Sequence, residues 1–272
     1  MIWSVFAVNA AGFGPVMSTS VAWCWRVFGT GVSFFAVGIG GVLIFPVINF
    51  VIRSPQIRSI LARQMISFSF RGIVCLMHVM GVFRYEITGL ERLERKGLLI
   101  VANHPTLIDI VFLMAFVKRA DCIVKSGLWR NPFMHWTVRA AAYIRNDDHG
   151  VQLIEDCVAS IRRGGNLIIF PEGTRTPSDG GILFKRGAAN IAVRAFCDVT
   201  PVLITCAPPM LVKGQKWWRL PSRPSHFTIE VKDDIEVQPF VARAGSDVLA
   251  VRHLTDHLQN YFSKEQRCHA IV

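Results

Sequence analysis

The chain has 272 residues, of which 51% are hydrophobic and 18% charged, with a mean hydropathy of +0.38, a formal net charge of +11 and a pI near 9.7. Its length suits one large domain plus an appendage, and its excess of cations suits nucleic acid or an anionic membrane. The hydropathy favours the membrane, and the absence of a basic helix, zinc spacing or aromatic RNA-binding signature argues against nucleic acid as a partner.

The seven cysteines, Cys24, Cys75, Cys122, Cys157, Cys197, Cys206 and Cys268, are scattered singly with no Cys-x-x-Cys pair. An odd number of isolated thiols fits a reducing compartment, where they pack as small hydrophobes rather than as disulfides or metal ligands.

From Ile2 to Trp25 no side chain is charged, and a second uncharged run extends from Val27 to Ile52. As a helix the second run would be about 39 Å long, against roughly 30 Å of bilayer hydrocarbon. Gly38, Gly40, Gly41 and Pro46 weaken it, which membranes tolerate. Two readings stay open: a full span, and a re-entrant or surface-lying helix pair. A cleaved signal peptide is not expected, because the Met1 end lacks a basic n-region; Met17 is an alternative start. Arg53, Arg58 and Arg63 follow the apolar run and put the C-terminal bulk on the cytoplasmic side. Met65 to Val82 reads as a helix lying on the membrane or packed on the domain. The expected organisation is a membrane-associated helical region over residues 1–82 and a globular domain over 83–272.

Within the globular part, strands are expected at Phe83–Ile87, Leu98–Ala102, Cys122–Lys125, Ala142–Arg145, Asn166–Phe170, Pro201–Cys206 and Phe227–Val231. Helical patterns fall at Ile108–Val117, Val151–Arg162 and Ala188–Phe196. This alternation predicts an α/β fold, a sheet flanked by helices.

Two stretches carry chemistry. In the first, the apolar run Leu98–Val101 leads into Ala102-Asn103-His104-Pro105-Thr106-Leu107-Ile108-Asp109. On an unbroken helix five residues would set His104 and Asp109 roughly 140° apart. Pro105 lacks the N–H that a continuing helix needs, so His104 is placed before the first turn and Asp109 inside it. There the carboxylate can reach back to one ring nitrogen, fix the tautomer and leave the other nitrogen to accept a proton. The plainer alternative is a helix-capping Asp109 beside a turn histidine. In the second stretch, Leu167-Ile168-Ile169-Phe170 runs into Pro171-Glu172-Gly173-Thr174-Arg175-Thr176. Gly173 allows close backbone approach, Thr174 brings a hydroxyl and Arg175 a planar fork, which together make an anion cradle. Phe184-Lys185-Arg186-Gly187 adds cations before a helix start. The plainer alternative is a turn with a solvated arginine.

The blocks Asn103–Asp109, Phe170–Arg175 and Thr200–Val202, in that order and spacing, resemble the glycerolipid acyltransferases, and among them the 1-acyl-sn-glycerol-3-phosphate acyltransferase branch. The resemblance covers roughly Phe83 to Val231. It implies the family's α/β fold and transfer of an acyl group from acyl-CoA or acyl carrier protein to a lysolipid hydroxyl. On that basis His104 is the general base and Asp109 orients it, while Glu172, Gly173, Thr174 and Arg175 bind the acceptor. Lys125, in Lys125–Pro132, is similar to a phosphate-binding lysine of the family, although Gly127 stands where the family often has a glutamate. The family's Gly-x-x-Phe-Ile-x-Arg is replaced by Ala140–Asn146, which puts Arg145 one residue early. One step in a strand changes faces. Either the strand ends before Arg145, which then still reaches the site, or acceptor recognition differs.

The resemblance implies no metal and no cofactor beyond the acyl donor. His253 and His257, one helical turn apart, lack the accompanying carboxylate motif of a metal site. No Ser or Cys stands in a nucleophile-elbow context, so direct transfer without an acyl-enzyme is expected. The expected product is phosphatidic acid, made on the cytoplasmic side of a membrane such as a bacterial inner membrane. The alternatives are another lysolipid or specialised acceptor, or a non-catalytic lipid-binding relative. Lys213–Arg219, with Trp217 and Trp218, is a candidate membrane or carrier-protein contact; its alternative is a basic loop packed on the domain.

Overall fold

A computed structural model describes residues 19–147, 150–176 and 183–270. The first of the two uncharged runs, apart from its C-terminal end, and His149 lie outside them, and the side chains of Cys268 and His269 are likewise not described.

The chain begins with two long helices, α1 (Thr19–Val51) and α2 (Pro55–Val79). Both are long and apolar enough to cross a membrane. The break between them falls at Ile52-Arg53-Ser54-Pro55, where Pro55 fits the first turn of α2 but cannot continue α1. Seven strands follow: β1 (Phe83–Thr88), β2 (Leu99–Ala102), β3 (Ala120–Lys125), β4 (Ile144–Asn146), β5 (Asn166–Ile169), β6 (Val199–Ala207) and β7 (Ser225–Val231). The helices among and after them are α3 (Asp109–Phe116), α4 (Ser126–Arg130), α5 (His135–Ala141), α6 (Gly150–Arg162), α7 (Gly187–Ala195), α8 (Gln238–Arg243) and α9 (Asp247–Ala270).

The strands form one mixed sheet in the order β1-β7-β6-β2-β5-β3-β4. The five from β6 to β4 are parallel; β7 runs against β6, and β1 runs with β7. Alternate residues supply two cores. Ile100, Ala102, Ile168, Val202 and Ile204 face the layer of α1, α2, α3 and α5, while Leu99, Val101, Leu167, Ile169 and Leu203 face that of α6, α7 and α9. Burial on both sides explains why the central strands read as continuous apolar runs.

The division expected at residue 82 is one of chain position rather than packing, because Ile66, Ile73, Val74 and Met77 of α2 belong to the same core as Phe83, Phe112 and Phe227. Further polar contacts tie both long helices to the domain. Arg63 donates to the Ala141 carbonyl and pairs with buried Asp121, and Arg26 donates to the Ser222 carbonyl at 2.6 Å. The outer faces are strongly apolar, with Phe35, Phe50 and Phe68 standing 69%, 88% and 80% exposed.

Two buried asparagines clamp β2 at its ends. Asn166 accepts from the Leu98 N–H and donates to the Arg95 and Lys118 carbonyls. Asn103 donates to the Ile204 carbonyl at 2.7 Å and accepts from the Ile204 N–H at 2.8 Å, continuing the ladder with a side chain where β2 has ended. The chain therefore leaves β2 in a fixed direction, at the edge where all five parallel strands end. The chain leaves β2 for α3 on one face of the sheet and leaves its neighbour β5 for α7 on the other, which is where α/β sheets open a crevice.

Candidate active site

At that edge His104 Nδ1 lies 2.9 Å from Asp109 Oδ2. Asp109 is the first residue of α3 and fully buried, while the imidazole retains 15% exposure. The same carboxylate accepts from the Thr106 N–H at 2.6 Å on Oδ2 and from the Thr106 hydroxyl at 2.6 Å on Oδ1. Burial pushes the Asp109 carboxyl up, and the bonds from His104 and Thr106 act against that. An ionised carboxylate only accepts, so Nδ1 carries the ring proton and Nε2 is left as an acceptor. The His104 ring stacks on Phe170, with centroids 4.1 Å apart and planes at 19°. Asp109 and Phe170 together fix both the rotation and the tilt of the imidazole.

The loop after β5 grips His104 by its backbone. The His104 N–H donates to Glu172 Oε1 at 3.0 Å, and the Thr176 N–H donates to the His104 carbonyl at 2.8 Å. The Thr176 hydroxyl also donates to Glu172 Oε1. Glu172 is only 6% exposed, Oε2 is buried without a hydrogen-bond partner, and burial pushes its carboxyl up. Its contacts make Glu172 a strut under His104.

Gly173 has φ +68°, a conformation that favours glycine. A side chain there would put Cβ 2.9 Å from Lys185 Nζ, so the Lys185 ammonium lies over the bare backbone. Lys185 is anchored by its N–H to the Pro171 carbonyl. The sequence marks Lys185 as a phosphate-friendly cation before a helix start, and the fold brings it into the Gly-Thr-Arg loop itself. Thr174 is half-buried between Gly173 and Arg175. Arg175 Nη1 donates to the Leu211 carbonyl at 2.9 Å and the Val212 carbonyl at 3.1 Å, and the Leu107 N–H shares the Leu211 carbonyl. The loops after β2, β5 and β6 are therefore stitched together beside the histidine.

The remaining two expected site residues stand further along the same edge. Lys125 is the exposed last residue of β3, two strands from β2, roughly 10 Å at ordinary strand spacing. Arg145 lies inside β4, so the strand does not end before it. Its guanidinium pairs with Asp147 at 2.6 Å and lies over the Trp129 ring at 5.6 Å.

The Lys213–Arg219 segment packs against α1. A side chain at Gly31 of α1 would meet the Trp217 ring at 3.3 Å, and the Trp23 indole donates to the Leu220 carbonyl. Trp217 and Trp218 nevertheless remain 43% and 42% exposed, with Lys216 over the Trp218 ring.

A family model described as Acyltransferase matches residues 84–205, from β1 to near the end of β6. A 1-acyl-sn-glycerol-3-phosphate acyltransferase of Pseudomonas aeruginosa is 30% identical over 137 residues, covering 48% of this chain and 53% of that protein. A Helicobacter pylori protein of the same name is 31% identical over 140 residues, covering 49% and 58%. The chain thus spans about half the length of these curated relatives. The crystal structure of the 1-acyl-sn-glycerophosphate acyltransferase PlsC from Thermotoga maritima shares the fold, with a TM-score of 0.67 over 92% of this chain and 98% of that one, at 19% identity. Residues 84–205, which supply the His104–Asp109 pair and the loop beneath it, are thus similar to the acyltransferase family.

Proposed function

We propose that this protein transfers a fatty acyl group from a thioester, acyl-CoA or acyl carrier protein, to the sn-2 hydroxyl of 1-acylglycerol-3-phosphate, giving phosphatidic acid. The observation that carries the reading is the Nδ1-to-Asp109 bond, which leaves Nε2 as a positioned base. A hydroxyl is a weak nucleophile at neutral pH, and such a base contributes on the order of 10²- to 10⁴-fold. Nε2 takes the hydroxyl proton as the alkoxide oxygen attacks the thioester carbonyl. The tetrahedral intermediate then expels the thiolate, which takes the proton back from the imidazolium stabilised by Asp109.

No acyl-enzyme is needed. Cys206, the thiol whose surroundings include Asp109, has its pKa pushed up to about 12, chiefly by burial, so at neutral pH it is not a thiolate nucleophile. The acceptor phosphate is received by the Lys185 ammonium over Gly173 and by Thr174, with Lys125 approaching from β3. Glu172 and Arg175 shape that loop and hold it.

The exposed apolar faces of α1 and α2 associate with the membrane that carries the lipids. Arg53, Arg58 and Arg63, after α1, favour the cytoplasmic side for the domain. A second acceptor, such as a lysolipid with a different headgroup, is favoured by one feature. Arg145 is engaged by Asp147 and Trp129, so its guanidinium is not offered to a phosphate in the way the family pattern implies.

The test is an acyl-transfer assay of the full chain in detergent, crossing several lysolipid acceptors with both donors. Phosphatidic acid formation, lost in His104→Ala, is the expected result. Equal activity of His104→Ala, or a trapped covalent acyl-protein, overturns the mechanism.

A further inference from the structure

Away from the His104 crevice, a groove of about 610 Å³ lies between the end of α1, the start of α2 and α5. Its floor and rim are of two kinds. Val47 and Phe50 are apolar and largely exposed, at 59% and 88%. Asn49, Arg58, Trp136 and Arg139 are polar or amphipathic. None of them belongs to the loops around His104.

The polar side chains are incompletely used. Asn49 donates to the Phe45 and Trp136 carbonyls, but its Oδ1 is buried without a partner, as is Arg58 Nε. Among the described residues, no carboxylate pairs with Arg58 or Arg139, although Arg63, five residues after Arg58, has buried Asp121. The sequence accounts for this. No Asp or Glu occurs before Glu86 or between Asp121 and Asp147. Every helix lining the groove comes from those two stretches, so the cations there have no internal counter-charge.

A guanidinium pair beside an indole, at the end of an apolar exposed helix, matches the chemistry of a bilayer's headgroup layer. We infer that this groove binds the phosphate of an anionic phospholipid, held between Arg58 and Arg139, with its acyl chains along Val47 and Phe50. The lipid here is not the acceptor undergoing acylation; it holds the chain at anionic membranes. The inference rests on the proposed membrane association and not on the acyl-transfer reading.

The test is co-flotation of the full chain with vesicles of phosphatidylcholine alone and of phosphatidylcholine mixed with phosphatidylglycerol. Wild type should prefer the anionic vesicles. Arg58→Gln with Arg139→Gln should lower anionic binding about thirtyfold while binding to neutral vesicles stays as it was, from roughly 1 kcal/mol per cation at such a surface. Arg139→Glu, a change at an exposed position that the fold tolerates, should repel the headgroup and lose the preference by itself. His104→Ala should float like wild type.

Absence of a preference in wild type, or an unchanged preference in the double variant or in Arg139→Glu, overturns the inference. So does competition by soluble glycerol 3-phosphate as effective as that by lipid, since the site would then take a free phosphate. If the chain fails to float with neutral vesicles, the general membrane reading fails, while the groove is still judged from the loss on anionic ones.

Discussion

The backbone N–H of His104 is bonded to the carboxylate of Glu172, 68 residues later in the chain, at 3.0 Å. The two informative sequence blocks therefore meet through the main chain. Asp109 sets the imidazole ring, and Glu172 sets the peptide from which that ring hangs. A base displaced by about 1 Å can lose on the order of 10²-fold in rate, so a residue that touches no reacting atom can still govern turnover.

Replacing Glu172 by alanine should lower kcat by roughly 10- to 100-fold while changing donor KM little, because the His104 N–H loses its acceptor. Glu172→Gln keeps an acceptor for that N–H and for Thr176, so kcat should fall less than in the alanine variant. Its pH dependence has a definite sign. Burial raises the carboxyl's folded pKa, so the neutral form is favoured in the fold. The stability it contributes is present below the ordinary carboxylate range and lost as pH rises through the raised value. The stability of wild type relative to Glu172→Gln should therefore fall as pH rises through that window, then level off. Denaturation midpoints of both proteins at a series of pH values measure it.

Asp109→Asn nearly preserves shape. The amide oxygen can still accept from His104 and the Thr106 N–H, and its NH₂ can donate to the Thr106 hydroxyl, which accepts as readily as it donates. Folding should be retained, but the imidazolium loses its counter-charge, and kcat should drop on the order of 10²-fold or more. Steady-state kinetics beside a thermal melt checks both halves. A variant with wild-type kcat would remove Asp109 from the mechanism.

Much of the fold was legible because each central strand is covered on both faces and announces itself as an apolar run, as in Leu98–Val101 and Leu167–Ile169. The turn at Pro105 likewise fixed the relation of His104 to Asp109, and α3 does begin at Asp109. Helix α9 has no counterpart among the expected elements, although Ala250, Val251, Leu254, Leu258 and Phe262 keep helical spacing and are all buried. Strand order was not legible, since β5 enters between β2 and β3 through pairing across distant parts of the chain. The roles of Glu172 and Asn103 were hidden for the same reason. Their partners, His104 and Ile204, lie 68 and 101 residues away.

Asn103→Ala should cost about 3 kcal/mol of stability, because it strands both the N–H and the carbonyl of Ile204 in a buried place. Asn103→Asp should do at least as much harm, since its carboxylate would face the Ile204 carbonyl. Chemical denaturation measures the loss. A change below about 0.5 kcal/mol would mean that water or a backbone shift re-satisfies the strand.

Arg175 separates two roles that its position alone would merge. Nη1 is engaged by the carbonyls of Leu211 and Val212, and Leu211 itself has φ +52° and also receives the Leu107 N–H. Removing the guanidinium leaves those carbonyls without a charged donor, at about 1.5–3 kcal/mol, and frees the loop after β6 that walls the crevice. A positioning role predicts that Arg175→Ala raises KM for phosphorylated and phosphate-free lysolipids by similar factors and lowers the melting temperature. Arg175→Lys should restore stability only in part, because a single ammonium lacks the planar fork. A direct phosphate contact predicts something else: a KM increase confined to the phosphorylated acceptor, with the melt unchanged. Lys185→Ala is the complementary case. Its ammonium lies over Gly173 and no described carboxylate pairs with it, so the loss should fall on phosphorylated acceptors and spare the fold. Running both variants against the same acceptor pair decides which cation reads the phosphate.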